Sequence, residues 1–487
     1  MKYRVSFFVL LVAYILMACG GNDASESSSG GEAGGGGTTG SSPKVTTTTP
    51  TNGATSVARG EQLVTVLFNQ PVNASKTITQ QITVSGATWG GTVSNSGNSL
   101  TFKVTCNEYN TTVAVTIAEG AVTGTTGGLP NETYSFSYTT EKQAEPANAN
   151  ISSTPVAATT ATAKKLYGYF LEQYGQKVIS SVMANVNWNN ECAEKVRQLT
   201  GKYPAMNCYD FIHICFSPAN WIDYTDITPV QQWVNGGGIV QLMWHFNVPK
   251  SKGSTDYTCT PSETTFKAAN ALVSGTWENK WFYEQMDKVV ATILKLQDAG
   301  IAATWRPFHE AAGNATYLQQ ASWTKAWFWW GYDGATTYKK LWITMFDYFK
   351  SKGIKNLIWV WTTQNYNGDR SKYNQDTDWY PGDDYVDMVA RDLYGYTAAQ
   401  NNQEFTEIQA TYPDKMVVLG ECGKGDSGDP GKIGNCWTSG AKWGHFMVWY
   451  NGNETNATKT MCSDNWWKDA MSHSSVITRD QLPNLKE

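Results

Sequence analysis

Apolar and polar positions change rhythm several times along this chain. At the start, Lys2 and Arg4 precede an apolar run from Phe7 to Met17. A basic start and a short apolar stretch predict an export leader over residues 1–18. Spanning a bilayer takes about 18 or more uninterrupted apolar residues, and no later segment has such a run. Residues 19–43 are rich in Gly, Ser and Thr without periodicity, which predicts a flexible tether. Over 44–140 apolar and polar residues alternate in short stretches, as in Leu63–Phe68, Leu100–Val104 and Val113–Ile117. Gly, Asn and Ser turns separate them, so this region predicts a small all-β sandwich. Residues 141–160, rich in Ala, Thr, Pro and Asn, predict a linker.

A helical pattern through Lys164–Leu171 then opens a different regime. Eight apolar runs follow, at 177–183, 206–214, 238–246, 302–310, 356–363, 387–394, 416–422 and 444–450. Between several of them apolar residues recur at helical steps: Trp281, Met286, Val289, Ile293 and Leu296, and again Tyr338, Leu341, Met345 and Phe349. Near-continuous apolar strands alternating with amphipathic helices predict a parallel sheet covered by helices. Eight such units predict an α/β fold of the (β/α)₈ TIM-barrel type over residues 161–480. A doubly wound open sheet is the alternative, but no Gly-rich phosphate turn follows any early strand.

Composition narrows the chemistry. A net charge of −5 with 16% charged residues supplies no electrostatic footprint for nucleic acid. Twenty-one tryptophans hint at carbohydrate, because a flat apolar ring suits the C–H face of a sugar, although large aromatics also fill interiors. Of the nine cysteines, Cys19 ends Leu16-Met17-Ala18-Cys19, which resembles a bacterial lipobox apart from Met17. That resemblance implies lipidation at Cys19 and anchorage to the bacterial outer membrane, at the cell surface or facing the periplasm. The other eight, at 106, 192, 208, 215, 259, 422, 436 and 462, are free to form disulfides after export, but their spacing chooses no pairing. Cys208, Cys215 and Cys422 lie in apolar strand-like contexts and read as buried thiols. With no CxxC pair and no HExxH, neither a metal nor another cofactor is expected.

In a (β/α)₈ barrel the reacting groups lie at the C-terminal ends of the strands. The fourth run ends Trp305-Arg306-Pro307-Phe308-His309-Glu310 and the seventh Leu419-Gly420-Glu421-Cys422, which places two glutamates 111 residues apart. Cleaving a glycosidic bond takes one carboxylic acid to protonate the leaving oxygen and one carboxylate on the other face of the sugar. Strands facing each other across a small barrel bring two such carboxyls to roughly 5 Å, the separation of a retaining enzyme. Trp359 and Trp361 read equally as barrel filling or sugar platforms, and Asp210 equally as a substrate ligand or a loop cap. Asp383 and Asp384 read as a solvated turn.

The run Trp305–Glu310, with Trp327-Phe328-Trp329-Trp330-Gly331 downstream, resembles the signature of glycoside hydrolase family 26. Trp244-His245, Tyr380-Pro381-Gly382, Asp392 with Tyr394, Gly420-Glu421 and Trp449 match in order, so the resemblance covers roughly residues 160 to 475. It implies a retaining endo-β-1,4-mannanase acting on mannan, glucomannan or galactomannan, with Glu310 as proton donor and Glu421 as nucleophile. It implies that Tyr394 orients the nucleophile and that His245, Trp327 and Trp449 contact sugar; Arg306, His309 and Asp392 join this expected substrate-binding set. The sequence departs from the pattern where Ala311–Ala326 separate the acid from the tryptophan run. Residues 44–140 resemble bacterial immunoglobulin-like modules of exported enzymes, and their few aromatics suit a spacer better than a sugar binder. The alternatives are a β-1,3-xylanase or mixed-linkage β-glucanase on this scaffold, or a non-catalytic surface glycan-binding lipoprotein. Retention of both glutamates and Tyr394 argues against the last. The expected partners are β-mannan chains, the membrane through Cys19, and other glycan-utilisation proteins at the cell surface.

Overall fold

The computed structural model describes residues 40–106, 108, 110–141, 150–185, 188–313, 326–364 and 377–486. Cys19, the leader and most of the tether lie outside these residues, as does most of the Ala311–Ala326 segment. The chain forms two units that divide between Lys142 and Gln143.

The first unit is all-β. One four-stranded sheet runs Val45–Thr49, Gly60–Phe68, Ser99–Cys106, Thr88–Ser96, and the other Ala54–Val57, Tyr134–Thr140, Thr112–Ile117, Ile82–Ser85. The period-two pattern decides which faces meet: Val64, Val66 and Phe68 are buried while Leu63 stays in water. Leu100, Phe102 and Val104 do the same from the neighbouring strand, and Val113, Val115 and Ile117 from the opposing sheet. These residues form a core of their own.

The second unit closes eight parallel strands into a barrel. They are β1 (Val178–Met183), β2 (Met206–Asp210), β3 (Ile239–Trp244), β4 (Ala303–Pro307), β5 (Leu357–Thr363), β6 (Met388–Tyr394), β7 (Met416–Gly423) and β8 (His445–Val448). Neighbours pair in sequence order, and β1 pairs with both β2 and β8, which closes the sheet. Each strand falls within or beside one of the eight apolar runs, as expected of strands buried on both faces. The second run stops being strand at Asp210, because the Asp210 carboxylate accepts the Ile212 N–H at 2.9 Å and turns the chain.

Helices cover the outside. Trp277–Asp298 buries Met286, Val289, Ile293 and Leu296, and Ala335–Ser351 buries Tyr338, Leu341, Met345 and Phe349. Thr276 caps the first of these by accepting the Asn279 N–H at 3.0 Å. Trp359 and Trp361 are buried filling: Trp359 packs against Trp305, Trp342 and Phe346 on the helix side of β5. On the inner side of the sheet a separate small cluster of Met183, Cys208, Met243 and Met447 fills the barrel beneath its C-terminal mouth.

Residues 150–160 differ from a free linker. The Val156 N–H donates to Asp387 at 2.7 Å, the Tyr167 hydroxyl to the Ser152 carbonyl at 3.0 Å, and the Thr159 N–H to the Lys355 carbonyl at 2.8 Å. Their Ala/Thr/Pro composition is that of a linker, but their backbone groups are spent on the barrel. Among the described residues the eight cysteines carry free thiols; Cys208 and Cys422 are buried, whereas Cys215 is only half-buried.

Candidate active site

The end of β4 alternates between two environments. Trp305 points outward to Phe349 and Trp359, and Arg306 points inward with no exposed side-chain surface. After Pro307 the backbone leaves the sheet through two left-handed residues, Phe308 at φ +47° and Glu310 at φ +51°. Non-glycine residues are rarely held there, at a cost of about 1–3 kcal/mol each. Two distant side chains hold the turn: the Tyr338 hydroxyl donates to the Phe308 carbonyl at 3.1 Å, and the Trp330 indole N–H to the His309 carbonyl at 2.9 Å. Gly331 lets that segment close in, since a Cβ there would lie 1.9 Å from the Ala311 carbonyl oxygen.

Glu421 is aimed by an irregularity. Between β6 and β7 the register shifts after Arg391–Leu419, so that Asp392 stands opposite Glu421 and Gly420 is the extra residue. A Cβ on Gly420 would lie 2.6 Å from the Asp392 carboxylate. Only glycine fits.

The inward groups converge on these carboxylates. Arg306 Nη1 donates to Asp392 at 3.0 Å and to the Thr362 hydroxyl at 3.1 Å, and Nη2 donates to Glu421 Oε1. The other Glu421 oxygen accepts the Tyr394 hydroxyl at 2.6 Å. Both carboxylate oxygens are thus fixed by donors, one of them charged. Glu310 lies beside Asp392. Burial, the Asp392 carboxylate and then Glu421 push the Glu310 carboxyl well above the ordinary carboxylate range. Burial likewise raises Asp392, against the pull of Arg306. The pair therefore holds a proton at pH values where isolated carboxyls have lost theirs.

A second network flanks the first. Asp210 Oδ1 accepts the His245 backbone N–H at 2.9 Å, and Oδ2 lies 2.5 Å from His245 Nδ1. His245 Nε2 lies 3.1 Å from His309 Nε2. Burial works against charge on His245, but Asp210 outweighs it and raises that imidazole; burial, His245 and Arg306 hold His309 well below its ordinary value. Of the two imidazoles His245 is thus the one whose surroundings favour a proton, and Asp210 fixes its ring through Nδ1. Sequence alone left Asp210 undecided between ligand and cap; it does cap the loop, and it also fixes the His245 ring.

The expected sugar-contacting residues divide by depth. His245 keeps 13% of its side chain exposed, with the Trp449 ring 5.5 Å away and the Phe328 ring 5.6 Å away. Trp449 and Tyr394 are half-buried, and Trp327 is 36% exposed. Arg306, His309 and Asp392 lie behind them, with 0, 1 and 2% of their side chains exposed. Their contacts are to other side chains, a place that suits positioning of the groups in front of them. Trp329 and Trp330 are buried as well; the Trp329 indole donates to the Phe246 carbonyl at 2.6 Å. Thr362 went unnoticed in the sequence and Tyr338 was read there only as part of a helical repeat, since nothing links them to residues 56 and 30 positions away. Among the described residues no three His, Cys, Asp or Glu side chains converge as a metal site.

Residues 155–481 match glycosyl hydrolase family 26, and residues 39–140 match a bacterial Ig-like domain. A mannan endo-1,4-β-mannosidase B from Piromyces sp is 29% identical over 338 residues, covering 66% of this chain and 52% of that protein. A mannan endo-1,4-β-mannosidase from Thermothelomyces thermophilus is 29% identical over 342 residues, covering 67% and 62%. The chain thus spans between half and two-thirds of the length of these curated relatives. The GH26 domain of an endo-β-mannanase/endo-β-glucanase from Prevotella bryantii superposes with a TM-score of 0.65 at 54% identity, covering 68% of this chain and 99% of that one. A β-mannanase from a symbiotic protist of the termite Reticulitermes speratus, solved with a gluco-manno-oligosaccharide, gives a TM-score of 0.55 at 34% identity over 69% and 99%.

Proposed function

The chain belongs to glycosyl hydrolase family 26, and on that premise we propose that it is a retaining endo-β-1,4-mannanase with Glu310 as acid/base and Glu421 as nucleophile. The observation that carries this reading is the asymmetry of the two carboxyls. Glu421 is held by Arg306 and Tyr394 at both oxygens, while Glu310 is pushed by burial and Asp392 toward its protonated form. Two carboxyls whose environments differ in this way suit opposite tasks. Glu310 donates its proton to the glycosidic oxygen as the bond to C1 breaks, and a Glu421 oxygen takes C1 to form a glycosyl ester. Glu310, now a carboxylate, then removes a proton from water; the water oxygen attacks C1, Glu421 leaves, and the original configuration returns. Arg306 and Tyr394 keep Glu421 in line throughout and prevent it from swinging onto Glu310. The mannan specificity rests on the mannosidase names of the relatives.

Reducing ends released from mannan, β-1,3-xylan and mixed-linkage β-glucan test the substrate reading. Mannan is expected to be cleaved internally into mixed oligosaccharides. Preferential release from either other polymer would replace the substrate while leaving the glutamates in place.

The site of action we propose is the bacterial envelope, from Lys2, Arg4, the apolar run and Cys19. A Cys19→Ser chain is expected in the soluble fraction or unprocessed. If it still pellets with membranes after a high-salt wash, the lipid anchor is excluded.

A further inference from the structure

We propose that Trp221, with Phe216 and His213 beside it, is a sugar-binding platform for a β-mannan chain at the rim of the catalytic face, outside the residues around the two glutamates. The choice of mannan rests on the function proposed above. Of the tryptophans among the described residues, Trp221 and Trp327 are the most exposed, at 50% and 36%. Trp327 belongs to the motif beside His245. Nothing in that site accounts for Trp221.

Trp221 stands on the loop that leaves β2 directly after Asp210. Phe216, 41% exposed, lies 5.7 Å from the Trp221 ring, and the His213 ring meets Trp221 nearly edge-on at 5.1 Å and 77°. The loop is fastened at several points. Ala219 and Ile222 exchange backbone hydrogen bonds of 2.8 and 3.2 Å around Asn220-Trp221. The Tyr224 hydroxyl donates to the Asp210 carbonyl at 2.7 Å, and Lys288 Nζ donates to the Ile214 and Ser217 carbonyls at 3.3 and 3.2 Å. Adjacent large rings kept in water on a braced loop mark a binding surface, because leaving them exposed is unfavourable and holding them rigid lowers the entropy lost on binding.

Continuity with the catalytic face names the occupant. Phe216 meets Tyr257 edge-on at 5.0 Å, and Tyr257 stacks on Trp281 at 5.3 Å and 20°. Two residues beyond Tyr257, the Cys259 carbonyl accepts the Trp329 N–H at 2.9 Å. Trp329 follows Phe328, which lies against His245. On the other side, Asp210 holds His245 and starts the Trp221 loop. Packed contacts thus tie the Trp221 loop to the residues around His245, so a polymer seated at His245 and longer than the catalytic centre can extend toward Trp221. Flat rings kept in water suit the C–H faces of neutral pyranose units.

The test compares Trp221→Ala with wild type on polymeric mannan and on mannotetraose. KM on the polymer is expected to rise about fivefold to tenfold with kcat unchanged, the loss of one aromatic contact. kcat/KM on mannotetraose is expected to stay within about twofold, which also shows that the variant is folded. Trp221→Tyr should recover most of the polymer KM. Unchanged polymer KM, or equal losses on polymer and tetrasaccharide, would overturn the platform. If wild type cleaves another β-glycan in place of mannan, the substrate reading fails separately, and the same long-to-short comparison on that glycan decides the platform.

Discussion

Replacing Glu421 by alanine is expected to lower turnover by roughly four orders of magnitude on every substrate, about 5.5 kcal/mol of transition-state stabilisation. Without that carboxylate no glycosyl ester forms at this position, and Arg306, a cation with no lone pair to offer, cannot substitute. Glu310→Ala is expected to fail selectively. On mannan it should lose a comparable factor, because the departing sugar oxygen needs a proton. On aryl mannosides with an acidic leaving group the first step should survive and the glycosyl-enzyme should accumulate, since water then lacks its base. Added azide needs no base and should release a β-configured glycosyl azide. For wild type, proton NMR of the first products should show the β-anomer. An α-anomer appearing first means inversion, and the assignment of Glu421 as nucleophile falls with it.

The second large effect is on stability. Arg306 has no exposed side-chain surface and serves Asp392 and Glu421 together. Arg306→Met keeps much of the volume but leaves two buried carboxyls without their cation, and is expected to destabilise the barrel by about 3–5 kcal/mol near pH 7. The pH dependence has a definite sign. Asp392 already has a folded pKa raised by burial, with Arg306 restraining the rise; without Arg306 it climbs further. A carboxyl whose folded pKa exceeds its unfolded value, about 4, binds more protons folded than unfolded, so stability falls as pH rises through that window. The variant's deficit should therefore be smaller at pH 5 than at pH 8. Urea unfolding of the barrel transition at both values checks this. A deficit independent of pH would mean that Arg306 contributes by packing and not by charge.

The same residues show which properties were legible in the chain and which were not. Barrel strands were readable because a sheet buried on both faces demands continuous apolar runs, and the covering helices because Tyr338, Leu341, Met345 and Phe349 repeat at helical spacing. Sandwich strands were readable from alternation, since each residue's side is settled by its neighbour. These are local consequences of backbone geometry. The strand-end glutamates were legible for a related reason: once the strands were counted, their ends were known. By contrast, the 150–160 segment looked like a linker, because composition says nothing of a hydrogen bond to Asp387 a full 231 residues away.

Sequence by itself determined the α/β barrel, the β-sandwich before it and the short list of acidic residues able to do the chemistry. Tertiary structure alone decided what each member of that list touches. Arg306 reaches Thr362, Asp392 and Glu421 across 56, 86 and 115 positions, and no local pattern records such distances. The bulge at Gly420 turned Glu421 toward Arg306, and closure of the barrel set Asp392 beside Glu310. The physical reason is that periodicity reports only whether a side chain points in or out, whereas protonation and hydrogen bonding depend on which distant strands bring their inward groups to the same point.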